Sequence, residues 1–190
     1  MKLVLALPMV LSSFLLNAQE KSYLGDITDH HVIRRVEQHP QAWRIWQPFI
    51  VQGQTEGDLI VAYGAMRHGK KDMGDIFVTL SQNDGESWSE PVAVFDHTVR
   101  QGNIQFAYAN PVLFRGHGQQ VVWCYAMRCS IAQRNSEESH LVGAFSADWG
   151  RTWTSVEMAM QYTGPLILNA GIVETEIHGS RRFLLPAHRN

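Results

Sequence analysis

The sequence predicts an all-β protein of the β-propeller class, and three observations point to it. Short strand-like runs separated by turn signals dominate the chain after residue 18, where helical periodicity is nearly absent. Two copies of one pattern, S-x-[D/N]-x-G-x-[S/T]-W, begin at Ser81 and Ser146, and each follows a strand-like run. The strands around the two copies also come in the same order. An internal repeat of this length, built from β-strands, favours a propeller over a sandwich or a barrel.

The composition excludes several kinds of partner. A chain of 190 residues with 45% hydrophobic and 18% charged residues can build one sizeable core. Its net charge of −2 gives no support for nucleic acid or an anionic membrane as a partner. The nine histidines show no spacing that is typical of a zinc site. We therefore predict no metal and no cofactor.

Residues 1–18 are predicted to form a signal peptide. Lys2 supplies the positive charge, residues 3–16 are mostly apolar, and Ala18 offers a small residue at the cleavage point. The apolar stretch is too short and too interrupted to span a membrane. We therefore expect residues 19–190 to be exported, either secreted or periplasmic, without a membrane span.

Export permits a disulfide, but the spacing of the two cysteines argues against one. Cys124 and Cys129 lie in or beside the strand-like run 121–127. Five extended residues would separate their Cα atoms by roughly 16 Å, whereas a disulfide tolerates about 7 Å. A bond would require the chain to turn near Arg128. Two free, largely buried thiols are the preferred prediction.

The chain divides into two and a half similar units. The first covers about residues 46–95, the second about 108–158, and the third, which has two strands, about 163–190. In the first unit a strand near Phe49 is followed by strands over 58–63, 75–80 and 91–95, and the second unit repeats this order. Each four-stranded unit is predicted to be one blade.

The repeated pattern reads as a tight turn between strands. Its third residue accepts hydrogen bonds from nearby backbone N–H groups, its Gly allows positive φ, and its Trp covers the turn. The pattern resembles the Asp-box of the sialidase-like family with bacterial neuraminidase repeats. That resemblance implies six-bladed rings, of which this chain would supply the N-terminal part, and boxes that are structural and distant from the active site. The box residues are Ser81, Asn83, Gly85 and Trp88, and Ser146, Asp148, Gly150 and Trp153.

The loop over residues 64–75 is the main candidate for catalysis. It is the most charged part of the first unit, and loops at the end of a rigid scaffold often carry function. From composition alone, Asp72 among basic residues reads as a solvated acid or a tuned one. Sialidases carry an Arg followed five residues later by an Asp on this loop, as Arg67 and Asp72 are here. The resemblance implies that Asp72 is the general acid/base and that Arg67 binds substrate.

Three further residues are candidates for substrate binding. Sialidases carry an aromatic-Arg-Ile-Pro motif whose Arg contacts the substrate carboxylate; here Arg44 has that position, but Trp46 replaces the Pro. A strand-end Arg covering a Trp is the structural alternative. Asn110, in an Asn-Pro segment, and His188, after a strand ending in Pro-Ala, also resemble family positions. The structural alternative for both segments is a Pro that sets an extended start to the strand.

The resemblance implies an exo-glycosidase that hydrolyses terminal sialic acid from glycoconjugates, with an acidic glycan as its partner. The nucleophilic Tyr, its partner Glu and two further Arg residues of the family lie beyond the region that resembles this chain. We therefore expect residues 1–190 alone to be inactive. Two alternatives stay open: hydrolysis of another acidic or deoxy sugar, and non-catalytic glycan binding through Trp43, Trp46 and Tyr108.

Overall fold

The computed structural model describes residues 33, 44–66, 73–132, 138–158, 164, 166–168 and 170–189. All thirteen regular elements within these ranges are β-strands. The predicted signal peptide, Trp43, Arg67 and Asp72 lie outside the described residues.

Blade 1 is an antiparallel meander of four strands. The strands pair in chain order, so that β1 lies at one edge and β4 at the other. The middle strand β2 is buried at seven of its eight positions, so side chains on both faces of the sheet are covered. This explains its continuous apolar sequence, LIVAYGAM. The four strands are β1 (Arg44–Gln52), β2 (Leu59–Met66), β3 (Gly74–Ser81) and β4 (Val92–Phe95).

Blade 2 repeats this meander. Its strands pair in the order β6, β7, β8 and β9, and a short strand β5 pairs with the start of β6. One bridging pair, Gly74 with Tyr108, joins β3 to β6, so that hydrogen bonding continues from blade 1 into blade 2. The strands are β5 (Thr98–Arg100), β6 (Asn103–Phe114), β7 (Val122–Ser130), β8 (His140–Ser146) and β9 (Thr154–Val156).

The third unit consists of two short antiparallel pairs. Strand β10 (Leu166–Leu168) pairs with β13 (Ala187–Arg189), and β11 (Val173–Ile177) pairs with β12 (Ser180–Leu184). The β11–β12 hairpin turns at His178 and Gly179, whose φ values are 51° and 72°. Two consecutive residues with positive φ are what a type I′ hairpin turn requires.

The main core lies between blades 1 and 2. Ile60, Ile76 and Val78 of blade 1 pack in one buried cluster with residues of blade 2 that include Leu113 and Cys124. At 25 cal/mol per Å² of apolar surface, burying each large aliphatic side chain contributes about 1.5–3 kcal/mol. This interface is therefore what holds the two blades together.

Neither cysteine is in a disulfide and both are fully buried, as predicted. Strand β7 continues through both of them, so residues five positions apart point to opposite faces. Cys124 belongs to the core between blades 1 and 2, and Cys129 belongs to a second cluster around Met73 and Met127. Burial raises the pKa of the Cys124 thiol, which keeps it protonated and unreactive.

The first box forms a closed turn. The Ser81 hydroxyl donates to Asn83 Oδ1 (3.0 Å) and accepts from the Gly85 N–H (2.9 Å). Asn83 Oδ1 also accepts from the Ser87 N–H at 3.0 Å. Asp84 and Gly85 have φ values of 55° and 88°, so the glycine is required by the backbone conformation.

In the second box the serine and the third residue make the same hydrogen bonds as in the first, whereas the indole N–H of Trp88 in the first box has no acceptor among the described residues. The Ser146 hydroxyl donates to Asp148 Oδ1 (2.8 Å) and accepts from the Gly150 N–H (2.7 Å). Asp148 accepts from the Thr152 N–H (2.8 Å) and from the Thr152 hydroxyl (2.6 Å). The Trp153 indole donates to the Gly150 carbonyl at 3.1 Å. The repeat is therefore one turn structure built twice.

Candidate functional site

The start of β1 lies beside the loop that carries Arg67 and Asp72. Arg44 pairs with Met66, the last residue of β2, and Met66 pairs with Gly74, the first residue of β3. Residues 67–72 connect β2 to β3, so their loop begins after Met66, beside Arg44, and returns to Gly74 on the next strand. We call this end of blade 1 the rim and define it by Arg44, Met66, Met73 and Gly74. Arg44 is exposed there, whereas both methionines are buried.

The rim and the boxes lie at opposite ends of the blade. Strand β3 begins at the rim with Gly74 and ends in the first box with Ser81. Seven extended steps separate these residues by about 23 Å at roughly 3.3 Å per residue. A ligand bound at the rim would therefore not touch the first box.

Trp46 occupies a space that a glycine provides. Trp46 pairs with Gly64 across β1 and β2, and a Cβ at position 64 would overlap the indole Nε1. The half-buried indole also packs against the cluster that contains Met73 and Ala109. Trp46, which stands where sialidases carry Pro, is thus accommodated by Gly64 and serves partly as core.

The first strands of both blades carry a matching strained bulge. Gln47 and Asn110 each precede a proline, and their φ values are 47° and 54°. Register shifts mark both positions, between Trp46 and Phe49 and between Ala109 and Val112. Positive φ is unusual for a residue other than glycine, and a following proline favours an extended conformation instead. Such strain persists where the surrounding structure enforces it.

This bulge corrects one expectation from the sequence. The structural alternative to a binding role for Asn110 was an extended start to the strand, but β6 begins at Asn103 and runs through Asn110 with a kink. The physical reason is a hydrogen bond between the blades: the Asn110 N–H donates to Gln47 Oε1 at 2.8 Å. Sequence analysis missed Gln47. The signal that could have found it is the shared [N/Q]-Pro dipeptide in both units.

His188 lies in the third unit. It pairs with Ile167 across β13 and β10, so the two side chains point to the same face. Ile167 packs against the cluster that contains Met73 and Trp46, both at or near the rim. The exposed His188 is thus joined to the rim through one intervening residue.

A buried carboxylate follows the loop directly and was not singled out from the sequence. Asp75 is fully buried, and its Oδ1 accepts from the His97 N–H at 2.7 Å. The His97 ring Nδ1 lies 3.0 Å from the same oxygen. Burying a charge is costly unless it is hydrogen-bonded, so this pair fixes the start of β3 against the segment after β4. The sequence signal that could have found Asp75 is an acidic residue at the start of an otherwise apolar strand.

Two absences apply to the described part of the chain only. It contains no group of three or more side chains suited to holding a metal ion. It also contains no helix long and apolar enough to cross a lipid bilayer.

The fold and the repeated boxes define a propeller of the sialidase-like class. The model of the BNR repeat-like domain family matches residues 57–190, which is most of the chain, and the chain belongs to this family. Both boxes lie within the matched residues.

Solved structures show the same fold. The chain is similar to one described as "Hadza microbial sialidase Hz136", with a TM-score of 0.57 and 19% sequence identity. The match covers 70% of this chain and 30% of that sialidase, so the chain spans less than a third of its length. Among curated proteins, none matches the chain.

Proposed function

We propose that this chain supplies the first blades of an exported exo-glycosidase that removes terminal sialic acid from glycoconjugates. The observation that carries the proposal is the strand register at the rim, which places Arg44 beside Met66, where the loop bearing Arg67 and Asp72 begins. The family membership and the sialidase-like fold support it. Export to a secreted or periplasmic location rests on the signal-peptide pattern of residues 1–18.

The proposed chemistry follows from the residue types. A planar carboxylate on the sugar suits paired hydrogen bonds from the guanidinium groups of Arg44 and Arg67. Asp72 would donate a proton to the leaving oxygen and later take one from the attacking water. Sialidases use a Tyr nucleophile rather than a second carboxylate. That Tyr and the remaining Arg residues would come from other parts of the ring.

A test compares two substrates in the full-length protein. General acid catalysis contributes about 10²- to 10⁴-fold, so Asp72→Asn should lower kcat for sialyllactose by at least about 100-fold. The loss should be smaller for an aryl sialoside, because a phenolate-type leaving group needs less protonation. The matched control is Asp84→Asn, the same change in the first box at the far end of blade 1, and it should leave both rates unchanged.

Two outcomes would argue against this role. Equal losses on both substrates would mean that Asp72 does not protonate the leaving group. Full activity of Asp72→Asn on sialyllactose would remove it from the mechanism.

Hydrolysis of another acidic or deoxy sugar is the second candidate. The Trp46–Gly64 pair favours it, because Trp46 gives this part of the rim a shape that Pro would not. A substrate panel of sialosides, uronides and deoxyglycosides in the full-length protein separates the two. Glycan binding without catalysis is less supported, since Tyr108 is buried and stacks on Phe95 at 5.3 Å between ring centroids.

A further inference from the structure

A cavity of about 440 Å³ lies between blades 1 and 2, and it belongs to neither the rim nor the boxes. On the blade 2 side, Tyr108, Arg128 and His140 form a row across β6, β7 and β8, because they are register partners. Phe95 at the end of β4 closes the opposite side, and Ser155 of β9 contributes a hydroxyl. The cavity is within the size range of sites for small ligands.

Arg128 is held in the cavity wall without a carboxylate partner among the described residues. Its guanidinium lies over the Phe106 ring, 4.5 Å from the centroid. All of its hydrogen bonds to described residues involve Nη2, which lies 3.3 Å from the Glu138 carbonyl and 3.3 Å from His140 Nδ1. Its Nε is buried and has no hydrogen-bond partner within that part of the chain. The guanidinium is therefore fixed in place with donors unused.

A second arginine shows what a purely structural role looks like in the same protein. Arg115 also lies over an aromatic ring, that of Trp149, at 4.7 Å from the centroid. Its Nη1 donates to the Gly53 carbonyl of blade 1 (2.6 Å), and its Nε donates to the Gln119 carbonyl within blade 2 (3.2 Å). Arg115 thus uses two of its nitrogens for bonds to backbone carbonyls, whereas Arg128 uses Nη2 alone.

His140 adds a second donor. Arginine has no acceptor, so His140 Nδ1 must accept the bond from Arg128, and the proton of the neutral ring then resides on Nε2. Burial, together with the nearby Arg128, lowers the pKa of His140 and keeps the ring neutral at pH 7. The cavity wall therefore offers a cationic guanidinium, an imidazole N–H and the Ser155 hydroxyl. The Glu157 carboxylate, which is exposed, adds an acceptor.

We propose that this cavity binds a carboxylate-bearing sugar residue of an acidic glycan, with Arg128 holding the carboxylate. A rigid guanidinium suits a planar carboxylate. The donors on His140 and Ser155 and the acceptor on Glu157 suit sugar hydroxyls, and the apolar side chain of Val142 suits the face of a sugar ring. This site does not depend on catalysis at the rim, and its test measures binding rather than turnover.

The test titrates ¹⁵N-labelled full-length protein with sodium glucuronate and follows amide chemical shifts. Saturable shifts are expected at residues 141–143 and 155–158. Arg128→Ala should weaken binding at least tenfold, which is about 1.4 kcal/mol. Arg100→Ala is the matched control, since it removes an exposed arginine on β5, and binding should be unchanged.

Two further comparisons keep the proposal open to refutation. Ser155→Trp fills the cavity and leaves Arg128 in the chain, so it should abolish binding and provides a test even if Arg128→Ala fails to fold. Retained binding in Ser155→Trp, or shifts that map to the rim instead, would overturn the proposal. Glucose and sodium acetate separate the two parts of the ligand. If glucose or acetate bound as tightly as glucuronate, the cavity would not recognise an acidic sugar.

Discussion

The third residue of the box is a carboxylic acid in the second copy and an amide in the first, and this difference predicts how acid acts on the protein. Asp148 accepts three hydrogen bonds, from the Ser146 hydroxyl and from the N–H and hydroxyl of Thr152. Burial alone would raise the pKa of Asp148, but these hydrogen bonds outweigh it and lower the pKa to about 2. Asn83 has the same position in the first box and does not titrate.

The hydrogen bonds set the size of the effect. Each bond contributes about 0.5–1.5 kcal/mol net, and Thr152 is exposed, so its groups can turn to water when the acceptor is lost. Asp148→Ala should therefore lower the free energy of unfolding by about 2–3 kcal/mol. For a domain of this size, that lowers Tm by roughly 4–12 °C. Asp148→Asn keeps an acceptor, as Asn83 does, and should cost about 1 kcal/mol at pH 7.

The sign of the pH dependence follows from the lowered pKa. A carboxyl group whose pKa is lower in the folded than in the unfolded state adds stability above the unfolded value, near 3.8, and this is lost as the pH falls through about 2. The stability gap between wild type and Asp148→Asn should therefore shrink between pH 4 and pH 2. The reciprocal variant Asn83→Asp should gain the same acid sensitivity.

Urea unfolding followed by circular dichroism at several pH values measures these gaps. The other carboxyl groups titrate in every variant, so their effects cancel in the differences. If Asp148→Asn cost as much as Asp148→Ala, or if its gap to wild type stayed constant down to pH 2, the hydrogen-bond account of the box would be refuted.

Three other predictions concern the space between strands and blades. Gly64→Ala should lower the free energy of unfolding by about 1–3 kcal/mol, because its Cβ overlaps Trp46. In urea unfolding, adding Trp46→Leu to Gly64→Ala should recover part of that loss; a double variant whose loss equals the sum of the two single losses would contradict this. Gln47→Ala should cost about 1–3 kcal/mol and speed hydrogen exchange at the Asn110 amide, whereas Gln47→Glu, which keeps an acceptor, should protect it; equal exchange in both variants would contradict this. Arg128→Ala should raise the pKa of His140 in an NMR titration, since it removes burial and a nearby positive charge. Because the pKa of His140 is lower in the folded than in the unfolded state, this residue contributes stability above pH 6.5 that is lost as the pH falls through its folded pKa. Arg128→Ala should make this loss of stability smaller. An unchanged His140 pKa in the variant would contradict the electrostatic coupling of the two residues.

Local features of the fold could be predicted from the sequence, because the groups that determine them are close in the chain. In each box the serine and the residue that it binds are two positions apart, and the glycine that needs positive φ is two positions further on. The separation of Cys124 and Cys129 was likewise a matter of strand geometry over five residues.

Features that depend on register could not be predicted in this way. The Asn110 N–H finds its acceptor 63 residues away, on Gln47, and Asp75 finds His97 across 22 residues. The proline after Asn110 indicated an extended residue, but the bond from the neighbouring blade enforces positive φ instead. The row of Tyr108, Arg128 and His140 also exists only because three strands align, so that cavity could not be predicted from the sequence.

The two ends of the blades are under different constraints, and this explains where function is expected. At the box end, the bond from the glycine N–H to the serine hydroxyl is 2.9 Å in blade 1 and 2.7 Å in blade 2, so the turn is conserved between blades. At the opposite end the blades diverge: blade 1 presents Arg44 and the loop over residues 67–72, and blade 2 presents Arg128 and His140. A turn that is repeated with the same bonds serves folding, since every blade needs it. Residues that differ between otherwise equivalent blades are free to serve recognition, so substitutions at the rim should change ligand binding more than stability, and substitutions in the boxes should do the reverse.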